Sequence, residues 1–224
     1  MEFTEFEHLT HEIGTAVLVL LYILRLVILF RRRLAQDIAS NPRGDILRGV
    51  VDAFLTIVMP WKMESTRKHW LRYVEFVVFH IGVFTNIVLS FVIAYAPGVL
   101  TAPARGAALV LLAAAFVAGS LRLYRRANRP EMRIISSPDD YIAMAMVLVF
   151  LFTGALALLA WQPGIVAYFI IAALFLIYEP FSKIRHYIYY PFARYFYGAA
   201  FGKRGVLQMS RPAKSDDTGL PRAA

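Results

Sequence analysis

The chain has 224 residues, 59% of them hydrophobic and 17% charged, with a net charge of +9 and a mean hydropathy of +0.57. That composition excludes an ordinary water-soluble globule and points to a lipid bilayer. Cysteine is absent, which excludes disulfides, thiolate metal ligands, iron–sulfur ligation and a cysteine nucleophile. The basic residues gather beside apolar blocks, so the rule of positive loops on the cytoplasmic side accounts for them and no nucleic acid is expected as partner.

The opening segment, MEFTEFEHLTHE, carries four glutamates and no Lys or Arg, the wrong charge for the start of a signal peptide. Its His8 and His11 lack a convincing third metal ligand, and both are expected to be solvated. A first apolar span over about residues 13–30 runs directly into Arg31, Arg32 and Arg33, so it is expected to be retained with the N-terminus outside.

Residues 31–72 form a long loop. Within it the stretch from Asp45 to Met59 is apolar and helix-like but short for a span and halted by Pro60, which predicts an interfacial helix or a docking surface.

Further spans are predicted over about 73–95, 106–123, 141–159 and 165–187, with Pro97-Gly98 and Trp161-Gln162-Pro163-Gly164 as punctuation. Each block approaches the twenty or so residues needed to cross about 30 Å of hydrocarbon. The expected fold is all-α, a polytopic bundle of five transmembrane helices with the C-terminus cytoplasmic. Of the 24 Lys and Arg, only Arg105 then falls in an outside loop. Residues 1–204 make one membrane domain, and the polar, Pro-containing residues 205–224 a tail without fixed structure.

Two histidines lie within or beside these spans. His80, in FVVFHIGVF, comes eight residues after Arg72, about 12 Å along a helix, and His186 closes LFLIYEPFSKIRH near the cytoplasmic end of the fifth span. A histidine in a membrane helix is costly and marks a functional site by default. Two imidazoles at similar depth on different helices suit a bis-histidine haem b; two separate histidines bonded to backbone or to Ser/Thr satisfy the same spacing.

The blocks VVFHIGVF, RRANRPEMRIISSPDDYIAMAMVLVFLFTGALAL and LFLIYEPFSKIRHYI resemble those of the gamma subunit of respiratory nitrate reductases, a five-helix membrane cytochrome b. They are similar also to the cytochrome b subunits of heterodisulfide-reductase-like and sulfite-reductase-associated complexes. The resemblance covers spans two to five and implies an inner haem on His80 and His186. An outer pair would lie ten residues after His80 and eighteen before His186, where this chain has Ser90 and Tyr168. A single haem b near the cytoplasmic face is therefore expected, with quinone as exchangeable substrate in the cytoplasmic half.

The resemblance further implies electron transfer between the quinone pool and a cytoplasmic iron–sulfur or flavin oxidoreductase subunit, which would dock on residues 31–72, 122–133 and 194–204. The setting would be a bacterial or archaeal inner membrane.

Arg72, Arg126, Lys183 and Arg185 are candidates to face haem propionates, and each equally suits a snorkelling interface role. His69, Glu75 and Glu179 are candidates for a quinone site or proton relay, since carboxylates so near the core demand partners. Gly82, Gly154 and Asn86 read first as helix-packing residues. A membrane anchor that has lost redox function is the competing expectation. A transporter is disfavoured because the spans lack paired internal charges.

Overall fold

The structure is a computed structural model and describes residues 5–32 and 44–204. Those residues form helices α1 (Glu5–Arg31), α2 (Ile46–Leu55), α3 (Glu64–Lys68), α4 (Trp70–Tyr95) and α5 (Ala102–Asn128), then α6 (Pro130–Ile134), α7 (Pro138–Leu158), α8 (Gln162–Tyr178) and α9 (His186–Arg204), with short 3-10 turns between some of them. No strand occurs among the described residues. Five of the helices, α1, α4, α5, α7 and the stretch Gln162–Phe181, are long and apolar enough to cross a membrane. The chain is a multi-pass, all-helical membrane protein. The expected tail, 205–224, and residues 33–43 of the first loop lie outside the described residues.

Breaks in the chain follow from local chemistry. Pro97 and Gly98 end α4, and Thr101 precedes α5, with Pro103 in its first turn. Ser137 starts α7 through a capping box in which its backbone N–H donates to Asp140 Oδ2 at 2.8 Å. At the far end of α7, Ala160 adopts φ 56°, the left-handed region that glycine usually fills at a helix C-terminus.

The described residues fall into two compact units, 5–32 with 60–190, and 44–59 with 191–204. In the first, α4 packs on α5, α5 on α7, α7 on α8 and α8 on α1. Its core centres on Phe79, Leu112, Phe150, Leu151, Phe169 and Phe175. Large apolar side chains on the outside, such as Phe84 at 67% and Val110 at 68% exposure, would be costly in water and are at home against lipid.

Small residues let these helices approach. A Cβ on Gly82 would collide with Ala115 of α5, one on Gly14 would come within 3.0 Å of Ala173 Cα, and one on Gly154 would overlap the Asn86 carboxamide. Gly82 and Gly154 are thus helix-packing residues, as is Asn86, whose Nδ2 donates to Phe150 O at 2.8 Å across the bundle.

The second unit pairs α2 with the later part of α9. A Cβ on Gly49 would strike the carbonyl of Gly198 and approach Gly202 Cα to 2.6 Å, a backbone-to-backbone crossing that only glycine permits.

Two boundaries differ from the sequence expectation. Helix α1 begins at Glu5 rather than near residue 13, because its polar residues Glu7 and His11 are buried with partners instead of being solvated. The fifth span does not run through to Tyr187. Pro180 and the extended Ser182 (φ −90°, ψ 177°) break it, and the Ser182 side chain accepts from Ile184 N–H to start a new turn, so His186 opens α9.

Candidate functional site

His80 lies in the first half of α4, partly buried, with Phe76 and Phe79 rings beside it at 4.0 and 5.5 Å between centroids. Its Nδ1–H donates to Phe76 O at 2.8 Å. His186, at the start of α9, donates its Nδ1–H to Lys183 O at 3.0 Å. Both rings therefore have Nε2 as the nitrogen with a free lone pair, the orientation in which a backbone carbonyl fixes the tautomer of a metal-binding imidazole.

The two ring centroids are 6.3 Å apart, with planes at 81°. Two imidazoles that held one metal between them, with bonds of about 2 Å and about 1.1 Å more from nitrogen to ring centre, would stand about 6.2 Å apart. The separation of the two rings is compatible with both imidazoles holding one haem iron, and His186 is exposed. No three His, Cys, Asp or Glu side chains converge among the described residues, whereas a porphyrin brings four nitrogen donors of its own and needs two imidazoles from the protein.

A clamp from α7 holds the turn that carries His186. Asp139 accepts from Lys183 N–H at 2.9 Å and from the Tyr178 hydroxyl at 2.7 Å. Asp140 accepts from Lys183 Nζ at 2.5 Å and pairs with Arg126 at 3.4 Å. Among the expected propionate partners, Lys183 and Arg126 are therefore tied to α7, Arg126 also donating to Ser136 Oγ at 2.8 Å. Arg185 donates to Phe181 O at 3.1 Å, and Arg72 is exposed.

Sequence reasoning missed Arg122. It stands one turn deeper than Arg125 and Arg126, with its guanidinium 6.0 Å from the Phe76 ring centre and 5.5 Å from that of Phe79, the two rings that flank His80. Its depth along α5 was readable, but its direction toward α4 was not.

Glu75 is ion-paired with Arg125. Glu179 is buried and accepts from the Tyr22 hydroxyl of α1, near the Tyr187 hydroxyl, which loss of hydration and this carboxylate push above its ordinary value. His69 is exposed and precedes α4 as its cap with φ −129°, so the helical register that would align it with His80 starts one residue too late.

At the opposite end of the bundle, the positions of the absent outer pair are filled by side chains. Tyr168 is fully buried, donates to Asn86 O at 2.6 Å and stacks on Phe150 with centroids 5.6 Å apart. Ser90 Oγ is 3.2 Å from His11 Nε2, and His11 packs edge-on to Phe91 and Phe169. Glu7 is buried and accepts from Gln162 Nε2 at 2.9 Å.

The expectation that His11 is solvated is corrected, and His8 too is engaged, its ring 5.8 Å from that of Tyr95. The signal was present in the sequence: Glu7, His11, Gly14 and Tyr22 follow the 4-3 spacing of one helix face. No family model, curated protein or solved structure matches the chain, so the likeness to membrane cytochromes b rests on the blocks quoted from the sequence.

Proposed function

We propose that this chain is a membrane cytochrome b subunit that holds one haem b between His80 and His186. It would exchange electrons between the quinone pool and a cytoplasmic iron–sulfur or flavin partner. The observation that carries this reading is the His80–His186 pair, with ring centres 6.3 Å apart and each Nδ1 committed to a backbone carbonyl. Haem b, once bound, supplies a one-electron redox couple. The chain's own residues orient the two imidazoles, Phe76 and Phe79 shield the His80 side from water, and Asp139 and Asp140 fix the turn bearing His186.

In this reading the N-terminus is outside and the His80 end of the bundle faces the cytoplasm of a bacterium or archaeon, as the distribution of Lys and Arg favours. Quinone would bind in the cytoplasmic half, within reach of the haem. The filled layer around Ser90, Tyr168 and His11 supports one haem rather than two.

The test is a dithionite-reduced minus oxidised spectrum of the purified protein with a pyridine haemochrome assay. One haem b per chain is expected. Two would mean a second ligand pair, and none in folded, haem-replete protein would leave the redox-silent anchor as the function.

Asp139 should act on haem retention through the turn it holds. Asp139→Ala removes the acceptor for Lys183 N–H and Tyr178, and haem loss to apomyoglobin is expected to accelerate by about tenfold, the size of effect usual for partners that orient a metal ligand. An unchanged rate would show that the clamp is irrelevant to His186.

A further inference from the structure

We propose that the arginine-lined recess at the ends of α4 and α5 binds the phosphates of a lipid headgroup that carries two negative charges. The recess has a volume of about 500 Å³, and Arg72, Arg122, Arg125, Arg126 and Arg129 line it. The carboxylates on its wall are Glu75 and Glu131. Glu75 is taken by Arg125, while Arg126 is taken by Asp140 from α7. Arg72, Arg122 and Arg129 are left facing Glu131, and none of the three has an ion pair among the described residues. The five arginines and two glutamates of the wall leave a clear positive excess, which Asp140, shared by Arg126 with Lys183, offsets only in part.

Arg122 makes that excess costly when the recess is empty. It is partly buried within a membrane-spanning helix, and its guanidinium contacts aromatic faces rather than a carboxylate. A cation so placed demands an anion, and guanidinium groups engage phosphate through paired, charge-assisted hydrogen bonds.

Three observations select a lipid as the bearer of that phosphate. The arginines occur where the apolar run of α5 gives way to LRLYRRAN, the depth of the headgroup layer. Phe76, Met132 and Met144 give the recess apolar wall as well as charge, which suits the glycerol and first methylenes behind a phosphate. The adjoining C-terminal end of α6 exposes Ile134 at 85% and its cap Ile135 at 71%, apolar surface of the kind that inserts at the boundary of headgroups and acyl chains. Basic pockets between membrane helices are known to take phosphate-bearing headgroups. The proposal needs no haem and is independent of the redox function.

The test is native mass spectrometry of the full-length protein in detergent, titrated with diphosphatidylglycerol and, separately, with zwitterionic phosphatidylcholine. A retained diphosphatidylglycerol adduct with little phosphatidylcholine is expected. Arg72→Gln with Arg129→Gln, both exposed on the rim, should weaken the adduct by about tenfold or more, and Arg122→Gln should do so at least as strongly.

Equal retention of the two lipids would overturn the proposal, as would undiminished binding in the rim double variant with its helical circular dichroism intact. Inorganic phosphate binding with the same arginine dependence and displacing the lipid would assign the recess to a free anion instead. Variants that shift the haem b midpoint potential while leaving lipid retention unchanged would assign the arginines to haem carboxylates and likewise overturn it.

Discussion

Replacing His80 or His186 by alanine is expected to remove the reduced haem b spectrum, each substitution alone lowering bound haem by at least about tenfold while the helical circular dichroism stays unchanged. The reason is geometric. The ring centres lie 6.3 Å apart, the separation the proposed haem calls for, and His11 is engaged with Ser90 at the other end of the bundle. His186→Met should keep some haem with a raised midpoint potential, because methionine is an accepted axial ligand. Full spectra in both alanine variants would end the assignment of this pair to haem.

A second large effect should come from Gly154→Leu. The first carbon of the new side chain already overlaps the Asn86 carboxamide, and Asn86 is itself fully buried and bonded to Phe150 O. Overpacking of this kind costs about 3 kcal/mol, which in a chain of this length lowers Tm by roughly 10 °C. Adding Asn86→Ala should return a good part of it, since the truncated side chain opens the contested space and the lost interhelical hydrogen bond is worth only about 0.6 kcal/mol. Thermal unfolding of the single and double variants in detergent checks both the loss and the recovery; additive losses would mean that the two residues do not compete for one space.

Much of this architecture can be read from the sequence, because hydrocarbon thickness imposes a length and Pro and Gly impose breaks. The spans α4, α5 and α7 begin and end within a few residues of expectation, and the apolar stretch ahead of Pro60 is a short helix. The pairing of His80 with His186 was legible as a shared depth, while the 6.3 Å separation depends on how α7 packs on both α4 and α8 and on the break at Ser182. Pro180 hinted at that break, yet an apolar run on both sides of it concealed the new turn.

The start of α1 was misjudged for a different reason. Glutamates look solvated in one dimension, and only the bundle reveals that Gln162 and Ser90 lie opposite Glu7 and His11. Arg122 was hidden among its basic neighbours because a helix face has no meaning until the adjoining helix is known.

The crossing of α2 and α9 has a consequence for how the molecule is made. Gly49 finds its backbone neighbours at Gly198 and Gly202, so the residues that complete this unit are the last described part of the chain to leave the ribosome. The earlier amphipathic segment must wait, through synthesis and insertion of four further spans, for a partner that lies far later in the chain. Stop codons placed before Gly198 should therefore leave α2 without its mate and expose it to proteolysis, even where every membrane helix has been inserted.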